Sequence, residues 1–308
     1  MKPLLLLAAF LGVVLSIGGA SAANDPRSDM VVDSKWLAAH LKDPDLVLLH
    51  VGDADEYAAG HIAGARLVTL DDVSVSEHTQ TGLMLQMPAD EDLRARLQKL
   101  GISDESRIVV YYGKDWVSPS TRVVFTLQYA GLSDHTRLLD GGMGAWVRDG
   151  GALSQNAPPA HAGRLSALQT QPLVVDRAYV RAHLDSPGVA IIDGRAASYY
   201  DGVETGGAHG QRDRTGHIRG AHSIPFTEIT DDRLMLKSQA QLKALFDRAG
   251  IAPGDIVVGY CHIGQQATAM LFAARLLGHP VLLYDGSFQD WSRSDDDPVE
   301  VSATKGTP

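Results

Sequence analysis

The chain has 308 residues, 44% of them hydrophobic and 21% charged, and a formal net charge of −10 at pH 7. That balance suits a globular protein able to bury real cores, and at ~100–150 residues per domain it leaves room for two. The acidic field disfavours nonspecific nucleic-acid binding, so no nucleic-acid partner is expected and any anionic substrate must be held by local donors.

The first residues, MKPLLLLAAFLGVVLSIGGASAA, carry one basic residue (Lys2), an apolar run from Leu4 to Ile17 and a small-x-small end at Ala20-Ser21-Ala22. This is the grammar of a secretory signal peptide over residues 1–22, with cleavage after Ala22 or Ala23. The run is shorter than the ~20 residues a membrane span needs. The expected product is exported, periplasmic and without stable membrane association.

The remainder repeats itself. Residues 47–64 read VLLHVGDADEYAAGHIAG, and residues 190–200 read AIIDGRAASYY, followed by GHIRG at 216–220. RIVVYYG (107–113) is answered by DIVVGYC (255–261), and LLDGGMGAW (138–146) by LLYDGSFQDW (282–291). Three matches in one order mark a tandem duplication. The expected domains span 30–150 and 173–300. A linker at 151–172, rich in Gly and carrying a Pro pair, lies between them, and a disordered tail follows at 301–308.

In the second copy, Val189–Ile192, Ile256–Tyr260 and Val281–Tyr284 read as buried strands. Gln239–Ala249 and Ala267–Leu277 read as helices ended by Gly250 and Gly278. The alternation predicts an α/β fold, each copy a mainly parallel sheet flanked by helices.

Cys261 is the only cysteine, so it has no disulfide partner within the chain. It follows strand 256–260, where ligands of open parallel sheets bind. His262, Ile263, Gly264, Gln265, Gln266 and Ala267 then turn into a helix, Gly264 suiting a positive φ. Such a turn aims unpaired N–H groups inward, which favours a thiolate, lowers its pKa and holds an anion beside it. Cys261 is therefore the expected nucleophile.

D-x-R followed by GHIxGAxxIP, a single cysteine in C-x-x-G-x-x and a closing YDGSFxxW resemble a tandem-domain rhodanese, from about Val31 to about Pro298. The resemblance implies two tandem rhodanese-like domains and a thiosulfate sulfurtransferase-like enzyme. In it Cys261 takes a sulfane sulfur from a small anionic donor, such as thiosulfate, and passes it to a thiophilic acceptor such as cyanide. No metal or organic cofactor is implied. The eukaryotic thiosulfate enzymes carry basic residues after the cysteine, where this chain has His262 and Ile263, and a substrate arginine where it has Tyr199. The mercaptopyruvate branch favours small residues and a serine-type hydroxyl in the loop, which CHIGQQA also lacks. The 202–215 insertion, with Arg212 and Arg214, is a candidate replacement for these cations; a solvated insertion is the alternative.

The first copy is expected to be inactive: Gly113 answers Cys261, and His50 and Gly52 answer Asp193 and Arg195. Ser118-Pro119 there reads as an N-cap and first-turn proline. Asp193 and Arg195 are expected to form an ion pair that supports the loop structurally. His61 and His217 are expected to bond backbone groups, and the histidines show no helical metal pair. A phosphatase is rejected because Cys261 plus six is Ala267, not arginine. A noncatalytic persulfide carrier or thiol redox sensor serving a partner protein, a possible protein sulfur acceptor, stays open.

Overall fold

The computed structural model describes residues 26–114, 116–207 and 213–302. The signal segment 1–22, Arg212 and the tail from 303 lie outside the described residues. The first half contains strands β1 (Val31–Val32), β2 (Leu46–Val51), β3 (His61–Ile62), β4 (Arg66–Val68), β5 (Arg107–Tyr112), β6 (Thr136–Leu139) and β7 (Leu153–Ser154). The second contains β8 (Val174–Val175), β9 (Val189–Asp193), β10 (His217–Ile218), β11 (His222–Ser223), β12 (Ile256–Tyr260), β13 (Val281–Tyr284) and β14 (Val299–Glu300).

Two five-stranded sheets result, ordered β1-β6-β5-β2-β4 and β11-β9-β12-β13-β8, the same order read from opposite edges. Every pairing in them is parallel, as crossovers through helices require. A small antiparallel pair closes each half, β3 with β7 and β10 with β14. The segment expected as a linker at 151–172 therefore starts with a strand of the first domain. Its later part is strapped to that domain through Gly163 N–H to Gln98 O and Gln171 N–H to Tyr129 O, both 2.8 Å.

Local chemistry accounts for the elements. Helix Gln239–Arg248 opens on a Ser238–Gln241 capping box and buries Leu242, Leu245 and Phe246 on one face. Gly250 and Gly278, at φ +80° and +85°, follow the two helices predicted to end there. Helix Ala267–Leu276 is buried almost all round because helix Val117–Tyr129 of the first domain packs on the side its own sheet does not cover. That partner helix begins at Val117, with Trp116 as N-cap, two residues ahead of the Ser118 N-cap expected from sequence.

The recurring Tyr…GHI signature is structural. Tyr57 stacks on His61 at 3.8 Å and Tyr200 on His217 at 3.7 Å. Each tyrosine hydroxyl donates to a backbone carbonyl, Ala65 O at 2.6 Å and Ala221 O at 2.7 Å. Each histidine Nδ1 lies 2.8 Å from a backbone carbonyl, Tyr57 O and Tyr200 O. The isoleucine amide that follows donates to a strand tyrosine, Ile62 to Tyr111 and Ile218 to Tyr260, both at 3.0 Å.

That last bond corrects the alignment of the two copies. His50 pairs with Tyr111 as Asp193 pairs with Tyr260. Tyr111 is thus the counterpart of Tyr260, and Tyr112, not Gly113, occupies the place of Cys261.

Candidate active site

Cys261 stands at the carboxyl end of β12, the central strand of its sheet, and is 1% exposed. Its own N–H donates to Ser287 Oγ at 3.3 Å, and its carbonyl accepts from Phe288 N at 2.9 Å. The His262 carbonyl likewise accepts from Gln289 N at 3.0 Å, so the closing helix Ser287–Trp291 fixes the start of the loop. Gly264 has φ +84°, and a Cβ there would lie 3.1 Å from both Arg122 Nη1 and the Asp285 carbonyl. Only glycine meets both demands.

The turn directs the amides of Ala267, Ile263, Gly264 and Gln266 at the sulfur. The cradle forms, yet burial pushes the Cys261 thiol above its ordinary value, and the four N–H groups pull it down without cancelling that rise. The lowered pKa expected from sequence is therefore not what the resting site shows. Desolvation at the end of a buried strand outweighs the neutral amide dipoles. Gln265 turns away: its side chain donates to Ser118 Oγ at 3.2 Å in the first domain, and its carbonyl accepts from Thr268 Oγ1 at 2.7 Å.

A cavity of about 330 Å³ adjoins the loop, lined by Tyr199, His262, Ile263, Gly206, Gly207, Asp213, Gln289 and, from the first domain, Met84. His262 meets Tyr199 edge-on, with ring centroids 4.6 Å apart. Burial first, then the nearby Arg195 charge, lowers His262 to about 4, so it is neutral at pH 7 and supplies no cation. Arg214 does not line the cavity; its Nη1 donates to the Ser294 and Asp297 carbonyls at 2.7 and 2.6 Å. Its neighbour Asp213, which sequence reasoning passed over while weighing the arginines beside it, does line it. Burial raises the Asp213 carboxyl, and Ser292 Oγ donates to Oδ1 at 3.1 Å.

Asp193 and Arg195 form a bidentate ion pair. Arg195 Nη2 donates to Asp193 Oδ2 at 2.6 Å and Nε to Oδ1 at 3.0 Å, with side chains 1% and 0% exposed. Arg195 Nη2 also donates to Gly216 O at 2.7 Å, and its guanidinium lies 4.1 Å from the Phe288 ring centre. Phe288 is the residue whose amide holds the Cys261 carbonyl, so the pair reaches the loop through that ring.

The corresponding corner of the first domain offers no thiol. Tyr112 donates its hydroxyl to Leu234 O of the other domain at 2.5 Å. A Cβ at Gly113 would fall 1.9 Å from Glu56 Oε1, so a carboxylate lies against this loop. His50 Nδ1 sits 3.0 Å from the Tyr111 hydroxyl, and burial lowers His50 to about 4. Among the described residues, no group of three metal-ligating side chains occurs, and no helix is long and apolar enough to cross a membrane.

With this geometry in place, known proteins supply a comparison. The rhodanese-like domain family matches residues 33–149 and again 176–294. The thiosulfate sulfurtransferase of Pseudomonas aeruginosa is 30% identical over 275 residues, 88% of this chain and 97% of that protein. The 3-mercaptopyruvate sulfurtransferase of Escherichia coli K12 is 29% identical over 280 residues, 87% of this chain and 97% of that protein. Among solved structures, YnjE superposes with a TM-score of 0.80 at 23% identity, covering 90% of this chain and 70% of that one. The anaerobic ergothioneine biosynthesis enzyme of Chlorobium limicola, solved with trimethyl histidine, gives 0.79 at 21% identity, covering 90% and 71%. These two likenesses speak for the fold.

Proposed function

This chain belongs to the rhodanese family as two consecutive rhodanese-like domains, and on that premise we propose that it moves a sulfane sulfur through a persulfide on Cys261. Curated relatives named as thiosulfate and 3-mercaptopyruvate sulfurtransferases make it a transferase of sulfur-containing groups. The observation that carries the mechanism is a lone thiol at the carboxyl end of the central strand, faced by four backbone N–H donors. The thiol first loses its proton to solvent. The thiolate then attacks the outer sulfur of a donor such as thiosulfate, forming a Cys261 S–S bond. The donor's own S–S bond breaks, and sulfite leaves with the electron pair. An acceptor such as cyanide attacks the terminal sulfur, forming thiocyanate and returning the thiolate. In the second half-reaction the cradle amides face the negative charge that returns to the Cys261 sulfur, where fixed donors in a dry site act most strongly.

Donor choice follows from the cavity. The described lining contains neutral His262, Tyr199 and acidic Asp213 and no cation, so doubly charged thiosulfate binds weakly. Arg212, outside the described residues, is the candidate to offset Asp213. The signal-peptide grammar of residues 1–22 supports a periplasmic site of action. The test is mass spectrometry of the protein after incubation with thiosulfate or 3-mercaptopyruvate, followed by steady-state turnover with cyanide. One added sulfur on Cys261 with turnover supports transfer. One added sulfur without turnover supports the carrier reading, and no added sulfur defeats both.

A further inference from the structure

We propose that Arg122, on the domain without a nucleophile, is a positioning residue for the Cys261 loop, holding the Gly264 peptide so that the amide cradle stays aimed at the sulfur. The proposal rests on Cys261 being the nucleophile.

Arg122 lies on helix Val117–Tyr129 and is 0% exposed. Its guanidinium crosses the domain boundary. Nη1 donates to Gly264 O at 3.2 Å and to Asp285 Oδ1 at 3.0 Å, while Nη2 donates to Leu85 O at 2.5 Å. Gly264 sits in the middle of the loop, and its own amide is one of the four that face Cys261. Drawing the Gly264 carbonyl outward keeps the loop from relaxing into a turn that would point those amides elsewhere. Asp285 ties the same cation to the opposite wall. Its Oδ2 accepts from Met87 N at 2.6 Å, and two residues on, Ser287 Oγ accepts the Cys261 amide. One buried pair thus grips both sides of the nucleophile.

Interdomain adhesion alone does not call for this arginine. The two facing helices are already joined by Thr121–Thr268 hydroxyls at 3.0 Å and by Arg275 Nη1 to Gln128 Oε1 at 2.9 Å. Helix Ala267–Leu276 carries buried, apolar Met270, Leu271 and Phe272 through its middle. A buried guanidinium costs desolvation that a packed apolar side chain avoids. Arg122 Nε, moreover, is buried with no hydrogen-bond partner among the described residues. The cation is kept only on the copy that lacks the thiol, and its bonds run to the copy that has it. This gives the inactive domain a function beyond forming a wall.

Full-length Arg122→Met, Arg122→Lys and, as an interface control, Gln128→Ala decide the matter. Three readouts are compared: the pH profile of Cys261 alkylation by iodoacetamide, kcat and KM with thiosulfate and cyanide, and Tm. Loss of the loop's anchor is expected to raise the alkylation midpoint by about one pH unit and to lower kcat about tenfold or more. Lysine, with charge but no fork, falls between wild type and methionine. Gln128→Ala is expected to lower Tm alone. If Arg122→Met lowers Tm but leaves the alkylation midpoint and kcat at wild-type values, Arg122 is only an interface residue and the proposal fails. If the methionine variant does not fold, an unchanged midpoint in the lysine variant overturns it equally. A wild-type protein that shows no persulfide would instead defeat the nucleophile reading, independently of Arg122.

Discussion

Replacing Arg195 with methionine tests whether the buried pair braces the loop or touches substrate. The side chain is 1% exposed and gives three side-chain bonds to Asp193, one to Gly216 O and a ring contact 4.1 Å from the Phe288 centre. Its loss leaves the Asp193 carboxylate buried without its counter-charge, although the Arg195 backbone N–H still donates to Oδ1 at 2.9 Å. Stranding one partner of a buried pair costs about 3–5 kcal/mol. At about 2–4 °C per kcal/mol for a chain of this size class, Tm is expected to fall by about 6–20 °C. Turnover should fall with it, because Phe288, which Arg195 packs against, holds the Cys261 carbonyl. Removing both charges, as Asp193→Asn with Arg195→Met, is expected to cost less than the two single changes added together. Calorimetry and the cyanide assay on the three variants give the answer. An unchanged Tm with only the donor KM raised would refute the bracing role and make Arg195 a substrate residue.

Cys261→Ser is expected to abolish sulfur transfer while circular dichroism and Tm stay near wild type, since the side chains are nearly isosteric. Because burial raises the Cys261 thiol, alkylation of the resting protein should reach its midpoint at a higher pH than free cysteine measured alongside. The linked stability term has the matching sign: it is fully present below the ordinary thiol value and is lost as pH climbs through the raised one. His262, held near 4, should add no inflection around its ordinary value of 6.5. Asp213→Asn is expected to lower the KM for thiosulfate several-fold and to flatten its salt dependence, by removing a like charge from the cavity wall; an unchanged KM would mean the donor does not approach that wall.

Much of this was legible in sequence, and the failures have physical causes. Strands and helices of the second copy were marked by β-branched runs and by Gly250 and Gly278, because local propensity and buried periodicity agree there. The loop was legible because Gly264 and the strand–turn–helix order force inward amides whatever surrounds them. Register was not: Tyr111-Tyr112 offers two matches to the single Tyr260, and only the Ile62 and Ile218 amides choose between them. The thiol's shift escaped because burial is set by how the closing helix and the first domain cover Cys261. Arg122 lay in an apolar stretch, VSPSTRVVFTLQ, where a charge signals a partner but not which one.

The two copies exchange more than a shared interface. Leu85 and Leu234 both hold positive φ, +53° and +60°, a conformation that costs a branched residue energy. Leu234 presents its carbonyl across the boundary to the Tyr112 hydroxyl, whereas Leu85 presents its own, within the first domain, to Arg122. Just beyond each, a backbone amide caps the aspartate of the other copy's D-G turn, Met87 on Asp285 at 2.6 Å and Leu236 on Asp140 at 2.7 Å. The two strained leucines therefore flank a reciprocal clasp of backbone amide on aspartate, built twice. At one end the clasp steadies the turn beside a thiol. At the other it closes over a tyrosine standing in the thiol's place, with Glu56 against the adjoining loop. In the first copy, the position that answers Cys261 thus carries a bond to the domain that holds the thiol.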